Sequence, residues 1–184
     1  PNVYAYFRGS SGNRVITALN NGAASSGLLS IPVQSNTAIS STDRSALPDG
    51  TVLTDLLSAG APSPITLTDG AFKANLPARG VGIYRPRSST GASAVTFTVT
   101  ASTAWGENVY LVGSTDELGQ WDTGRAVRMS PSNCSGSTCT WSVTLRYLPY
   151  SQSMTFKFIK KGSAGVTWET GSDRSYTVPS SSSA

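Results

Sequence analysis

Along the 184-residue chain, apolar side chains recur at alternate positions over short runs, and no window carries the long 3.6-residue apolar period of a helix. Val3-Tyr-Ala-Tyr-Phe-Arg8, Asn13-Arg-Val-Ile-Thr-Ala-Leu-Asn20 and Gly27-Leu-Leu-Ser-Ile-Pro-Val33 are parted by Gly-Ser-Ser-Gly and Asn-Asn-Gly-Ala-Ala, and read as consecutive antiparallel strands. After a polar stretch from Gln34 to Asp49 come Thr51–Leu57, Pro64–Thr68, Ala71–Leu76 and Gly80–Tyr84. Six or seven strands in so short a span predict a compact sandwich over residues 1–86.

Residues 87–93, within the polar and small-residue run Pro86–Ser93, are too poor in apolar side chains to build a core and predict a linker or tight connection. A second set of strands follows. In Ala94-Val-Thr-Phe-Thr-Val-Thr100, Val95, Phe97 and Val99 share one face; Asn108-Val-Tyr-Leu-Val-Gly113 is bounded by a Gly106-Glu107 turn and a Gly113-Ser114 stop. Ala126–Met129, Thr140–Leu145, Met154–Ile159, Val166–Glu169 and Arg174–Val178 complete a second unit over residues 94–179, and the serine tail at 180–184 predicts disorder. The fold class expected is therefore all-β, with two antiparallel β-sandwiches in tandem.

Composition narrows the function. Charged residues are only 13% of the chain, there is no histidine, and Ser, Thr and Gly abound, which looks secreted and extracellular. The net charge of +4 is spread evenly, with Lys157, Lys160 and Lys161 the nearest thing to a cluster, a weak case for nucleic acid. Apolar runs fall far short of the ~20 residues that cross a bilayer, so no membrane partner is expected; from Pro1 the sequence reads as a mature-looking segment, with no signal peptide expected in it. The two cysteines, Cys134 and Cys139, stand in Asn-Cys-Ser-Gly-Ser-Thr-Cys, a polar loop that suits a small surface disulfide in an oxidising compartment. A zinc site would need further ligands, and none has sensible spacing, so no metal and no cofactor is expected.

The four tryptophans all lie in the second half. Trp141 shares a strand face with Val143 and Leu145, the pattern of a core residue. Trp168 lies with Val166 on one face, a pattern that fits core and site equally. Trp105 and Trp121 sit in turn-rich segments where no alternation points them inward, although Trp105 would also suit a cap on the end of a sandwich. An indole left in water forfeits about 1.5–3 kcal/mol of burial unless a ligand covers it. Lys157 alternates with Phe156 and Phe158 and points away from the core, as a solvated lysine would. Tyr4, Tyr6 and Tyr84 read as packing residues. Asp116, Glu117 and Asp122 crowd one loop, where a solvated acidic turn accounts for them.

These residues carry a resemblance. From Ala94-Val-Thr-Phe through Gly106-Glu-Asn-Val-Tyr-Leu-Val-Gly-Ser, Leu118-Gly-Gln-Trp, Phe156-Lys-Phe-Ile, Trp168-Glu and Tyr176-Thr-Val-Pro179, the second half resembles the starch-binding module of carbohydrate-binding family 20. The first half, through Tyr4-Ala-Tyr-Phe-Arg8, Val15-Ile-Thr-Ala-Leu-Asn-Asn21, Leu47-Pro-Asp-Gly50 and Gly80-Val-Gly-Ile-Tyr84, resembles the C-terminal sandwich, domain C, of the α-amylase family, glycoside hydrolase family 13. The resemblance implies a Greek-key domain C followed by an immunoglobulin-like starch-binding sandwich, together a fragment of a secreted amylase-like enzyme without its catalytic barrel. It implies as partners starch, α-1,4-gluco-oligosaccharides and cyclodextrins, and the barrel itself.

By the same resemblance two tryptophans, Trp121 and Trp168, pinch successive glucose units at a first site, with Lys157 and Asp173 hydrogen-bonding hydroxyls and Glu169 a further acceptor. Asp173 stands where the family has asparagine, and an aspartate accepts from hydroxyls but does not donate. A second site is built on Trp105, with a tyrosine in the loop before Trp141; here that loop holds Cys134 and Cys139 instead. The physical logic is independent of the family: a pyranose shows C–H groups on each face that an indole covers, while hydroxyls stay at the rim for hydrogen bonds. The competing readings are a glycosidase and a protein-binding, adhesive sandwich. Retaining hydrolysis needs two carboxylates about 5–5.5 Å apart, usually on a barrel of about 250 residues, and neither pattern is legible, so no catalytic residue is assigned.

Overall fold

A computed structural model describes residues 2–10, 13–34, 39–45, 47–57 and 64–180. The second half of the Gly9–Gly12 segment, part of the polar stretch before Asp49 and residues 181–184 of the serine tail lie outside the described residues. The chain divides into two compact units, residues 1–87 and 88–184, each an antiparallel β-sandwich as the alternation predicts.

The first unit contains β1 (Val3–Ser10), β2 (Asn13–Asn20), β3 (Leu28–Pro32), β4 (Val52–Asp55), β5 (Pro64–Thr66), β6 (Ala71–Asn75) and β7 (Val81–Pro86). One sheet has the order β1-β2-β7-β4-β5, and β3 pairs with β6 in the other. Ile16, Ala18, Leu53 and Tyr84 of the larger sheet meet Ile31, Phe72 and Ala74 of the smaller in one buried cluster. The polar stretch hides a one-turn helix, α1 (Ser41–Ser45), whose amide at Asp43 donates to the Ser40 hydroxyl at 3.1 Å. Arg14 reaches Asp43 at 3.0 Å; the Ser40 hydroxyl, with help from that guanidinium, holds the Asp43 carboxyl below its ordinary range.

The three tyrosines of this unit part company. Tyr84 is buried and stacks at a tilt on Phe72, with ring centroids 4.8 Å apart. Tyr4 and Tyr6 are 63% and 58% exposed, which corrects their reading as packing residues. They alternate on β1, the edge strand, with the side that points away from the cluster, so the pleat itself turns them outward.

The second unit contains β8 (Ala92–Ser102), β9 (Asn108–Gly113), a 3₁₀ turn (Asp116–Leu118), β10 (Val127–Arg128), β11 (Ser130–Ser135), β12 (Thr138–Pro149), β13 (Ser153–Gly162), β14 (Gly165–Trp168) and β15 (Arg174–Thr177). One sheet runs β11-β12-β8; the other runs β10-β9-β13-β14, with β15 also paired to β13. Val95, Phe97, Trp141, Val143 and Leu145 of the first face Val109, Leu111, Phe156 and Phe158 of the second. Trp141 is only 3% exposed, as its strand pattern predicts, and its indole N–H donates to the Ala101 carbonyl at 3.2 Å, so the buried polar atom is satisfied.

Two local readings are corrected. The polar segment before Cys139 is a strand, β11, fully exposed along its six residues; an edge strand with neither face on the core has no apolar alternation to reveal it. Glu117 is buried, not solvated: it lies in the 3₁₀ turn and its carboxylate accepts from the Gln152 amide at 3.0 Å.

Gly113, the last residue of β9, is held to glycine by close approach. A Cβ there would lie 2.3 Å from the Thr155 carbonyl oxygen and 2.7 Å from Leu118 Cδ1, and the backbone oxygen cannot yield. Gly113→Ala should destabilise the second unit by about 1–3 kcal/mol, read as a lower urea midpoint of tryptophan emission; an unchanged midpoint contradicts this packing.

In the first unit, burial and then the nearby Asp55 charge push the Tyr84 phenol up to about 12. Its pKa is higher folded than unfolded, where it is about 10. The stabilisation is therefore full below about pH 10 and is lost as pH climbs through the folded value, a decline of up to about 2–3 kcal/mol. Calorimetry between pH 9 and pH 12 (about the window set by the two values) should show the first unit's transition falling less in Tyr84→Phe than in the parent.

Candidate functional site

The second unit's β10-β9-β13-β14 sheet has two apolar faces. On β13 the pleat turns Phe156 and Phe158 into the sandwich core and puts Lys157, Ile159 and Lys161 on the outer face. Opposite them on β9 lie Val112, Tyr110 and Asn108, and on β14 Trp168 pairs with Ile159. A row Tyr110, Ile159, Trp168 thus crosses three strands on the side away from the core. Val112 and Ile159 are nevertheless buried, because with Ala126 they form a second, small cluster against which Tyr110 and Trp121 pack.

Trp121 reaches that cluster on a loop of unusual backbone. Gly119, Gln120 and Trp121 have φ of 78°, 51° and 63°, three successive residues in the left-handed region. That conformation costs about 1–2 kcal/mol for each residue with a side chain. Hydrogen bonds hold it: the Gln120 amide donates to Thr115 O at 3.0 Å, the Trp121 amide to Gly113 O at 2.8 Å, and the Asp122 amide to Gly119 O at 3.0 Å. The strained turn aims the indole back over the sheet.

There it meets Trp168. The two ring centroids are 6.3 Å apart and the planes are inclined by 39°. Trp121 is half-buried and Trp168 is 41% exposed, so of the core and site readings left open for Trp168 the surface position is the one observed. The rings are inclined to one another rather than parallel. They make one angled platform with its outer side open.

Lys157 stands beside the platform but is not the solvated lysine its alternation suggests. Its side chain is only 13% exposed. The ammonium donates to the Gly171 carbonyl at 2.7 Å and, at the limit of 3.5 Å, to Glu169 O, and it lies 3.6 Å from the Asp173 carboxylate. These partners belong to the loop between β14 and β15. Glu169 is occupied as well: its carboxylate accepts from the Phe158 amide at 2.9 Å and from Arg174 at 3.0 Å. Asp173 is the freer of the two carboxylates, half exposed at the rim. The structure thus brings Trp121, Trp168, Lys157, Glu169 and Asp173 together.

Trp105 lies elsewhere, at the tip of a turn from Ala104 to Glu107, and is fully exposed. It caps no core. The Glu107 amide donates to Ala104 O at 3.0 Å, and Gly106 at φ 80° supplies the positive angle that the third position of a type II turn requires. The Glu107 carboxylate accepts the Ala104 amide at 3.1 Å. Nearby, the Thr103 amide donates to Ser137 O at 3.0 Å in the tip of the β11–β12 hairpin, which the Cys134–Cys139 disulfide staples. The expected pairing of the two cysteines is therefore observed, next to the Trp105 turn.

Sequence reasoning missed the groups that support the platform: the outer-face cluster of Val112, Ala126 and Ile159, the Arg174–Glu169 pair, and Lys161 over the Tyr110 ring at 4.5 Å. The alternation of Lys157, Ile159 and Lys161 was the available signal. Among the described residues no group of three or more His, Cys, Asp or Glu is placed to hold a metal ion, and no helix is long and apolar enough to cross a membrane.

Known proteins resemble the chain over part of its length. The thermophilic beta-amylase of Thermoanaerobacterium thermosulfurigenes is 48% identical over 93 residues, covering 50% of this chain and 16% of that protein. AA13 family lytic polysaccharide monooxygenase A of Aspergillus terreus is 43% identical over 86 residues, covering 46% of this chain and 21% of that protein. A cyclomaltodextrin glucanotransferase of Bacillus sp. is 34% identical over 134 residues, covering 63% of this chain and 19% of that protein. The chain thus spans about a fifth or less of the length of these relatives. Residues 92–184 match the model of the CBM_20 family, described as starch binding domain, and with half its length so matched the chain belongs to that family.

Proposed function

We propose that the platform of Trp121 and Trp168, with Lys157, Glu169 and Asp173 at its rim, is the surface on which this starch-binding domain holds α-1,4-glucan chains and cyclodextrins. The observation that carries the reading is the pair of indoles at 6.3 Å, one of them substantially bare, on a sheet face away from the core. One glucose ring lies along the angled platform through its C–H face, and Asp173 accepts from hydroxyls at the edge. Trp105, on its rigid turn, is a second and separate contact for the same polymer. Each site alone binds modestly, and two on one chain gain through effective concentration.

The domain's own role is non-catalytic binding. The relatives that share it are named as a beta-amylase, a monooxygenase and a glucanotransferase, unlike chemistries that a common 90-residue span does not supply by itself. We read the first unit as domain C of an α-amylase-family enzyme whose catalytic barrel is the missing partner, the binding domain anchoring that enzyme to granular starch. Support comes from its antiparallel sandwich and from the glucanotransferase alignment, which extends beyond the family span into this unit. A secreted, extracellular setting is supported by the Cys134–Cys139 disulfide.

Fluorescence titration with β-cyclodextrin, against cellulose oligomers as control, tests the platform. Trp121→Ala and Trp168→Ala should each weaken binding about 10- to 100-fold, the loss of about 1.5–3 kcal/mol of indole coverage; parental affinity in both variants would remove the site. Trp105→Ala should keep the first site's cyclodextrin affinity and lower retention on starch granules, measured by depletion from suspension. No reducing sugar should be released in either assay.

A further inference from the structure

We propose that Lys161 is a positioning residue for the aromatic platform: it ties the strand pair that carries Trp168 to the loop that carries Trp121, and so fixes the angle between the two indoles. The inference rests on the platform being the glucan-binding surface.

The connection is short and made of named atoms. Lys161 lies in β13 and pairs with Val166 of β14, two residues before Trp168. Its Nζ donates to the Thr123 carbonyl, two residues after Trp121, at 2.7 Å. The same ammonium stands 4.5 Å from the centroid of the Tyr110 ring, which packs against the cluster beneath Trp121. A carbonyl oxygen and an aromatic face both favour a cation between them, so the charge is matched from two sides.

The rest of the loop explains why this contact matters. On its first side the loop is pinned to the sheet by the backbone bond from the Trp121 amide to Gly113 O. Beyond Trp121 the Gly124 amide donates to Asp122 Oδ1 at 2.7 Å and the Arg125 amide to Asp122 O at 2.9 Å, bonds that shape the turn before the chain rejoins the sheet at β10 against β9. Between these two anchors Lys161 adds a bond from β13 to the loop at Thr123. With Gln120 and Trp121 held at positive φ, relaxation of the loop would move the indole away from Trp168, and a two-ring surface would become two single rings.

The test uses the full chain with Lys161→Met, which keeps the stem and removes the charge, and Lys161→Arg, which keeps the charge. Two indoles this close and this tilted couple as excitons, so the far-ultraviolet circular dichroism couplet near 225 nm (approximate position) reports their angle without any ligand; Trp121→Ala sets its baseline. Lys161→Met should shrink the couplet and weaken β-cyclodextrin binding about five- to tenfold while the tryptophan-monitored unfolding midpoint shows the chain folded, and Lys161→Arg should restore both. In the Trp121→Ala background Lys161→Met should cost no further affinity. A parental couplet and affinity in Lys161→Met, or an equal loss in both backgrounds, overturns the proposal. If Lys161→Met does not fold, Lys161→Gln, which is shorter and neutral, carries the same expectations. Parental affinity in Trp121→Ala would instead refute the platform reading, and the couplet would still decide whether Lys161 sets the angle.

Discussion

The pleat of β13 governs the binding domain. Its even residues, Phe156 and Phe158, enter the sandwich core, and its odd residues, Lys157, Ile159 and Lys161, build the outer face. A slip of one residue against β9 would exchange the two sets, placing ammonium groups in the core and phenyl rings outside. Register is therefore specified strongly, and it brings Tyr110 and Trp168 to either side of Ile159. The platform is a consequence of strand pairing before it is a consequence of any side-chain preference.

An apolar outer face then has to be covered. The loop from Gly119 to Ala126 covers Val112 and Ile159, and it does so through a left-handed run that two of its three residues disfavour. The burial beneath Trp121 and the backbone bonds to Thr115 and Gly113 offset that strain. Trp121 consequently has two duties, one edge of the indole sealing the small cluster and the open side joining Trp168. This explains its intermediate burial, which neither a core residue nor a free surface tryptophan would have.

Much of this was legible in the chain. Alternation located β8 and β12 and assigned Trp141 to the core, because each of those strands has one face on the sandwich interior, while β9 was read from its β-branched and aromatic run between turn signals. The resemblance supplied the candidate site residues, of which strand register places Lys157 and Trp168 on one face, loops bring Trp121, Glu169 and Asp173 to them, and Trp105 lies apart. What stayed hidden has a common cause: periodicity reports only burial against the main core. It is silent for β11, exposed on both sides, and misleading for Ile159, buried on the side where exposure is expected. It also misled for Tyr4 and Tyr6, where the outward side of an edge strand carries aromatic rings. The solvated reading of Lys157 failed because its partners, the Gly171 and Glu169 carbonyls, are backbone atoms that residue identity does not advertise.

Those carbonyls bear on how the site discriminates. With Lys157 committed to Gly171 O and Glu169 to the Phe158 amide and Arg174, the rim donors and acceptors chiefly hold the β14–β15 loop in shape. In the proposed site the hydroxyl recognition left to Asp173 would be that of an acceptor only, so a single site would select mainly through ring shape, the fit of a pyranose face on two inclined indoles. Shape recognition of that kind is modest in strength and tolerant of where along a polymer it engages. A repeating α-glucan surface would reward both properties on the proposed reading, because a weakly held chain can shift by one residue and be regripped while the proposed second contact at Trp105 holds it.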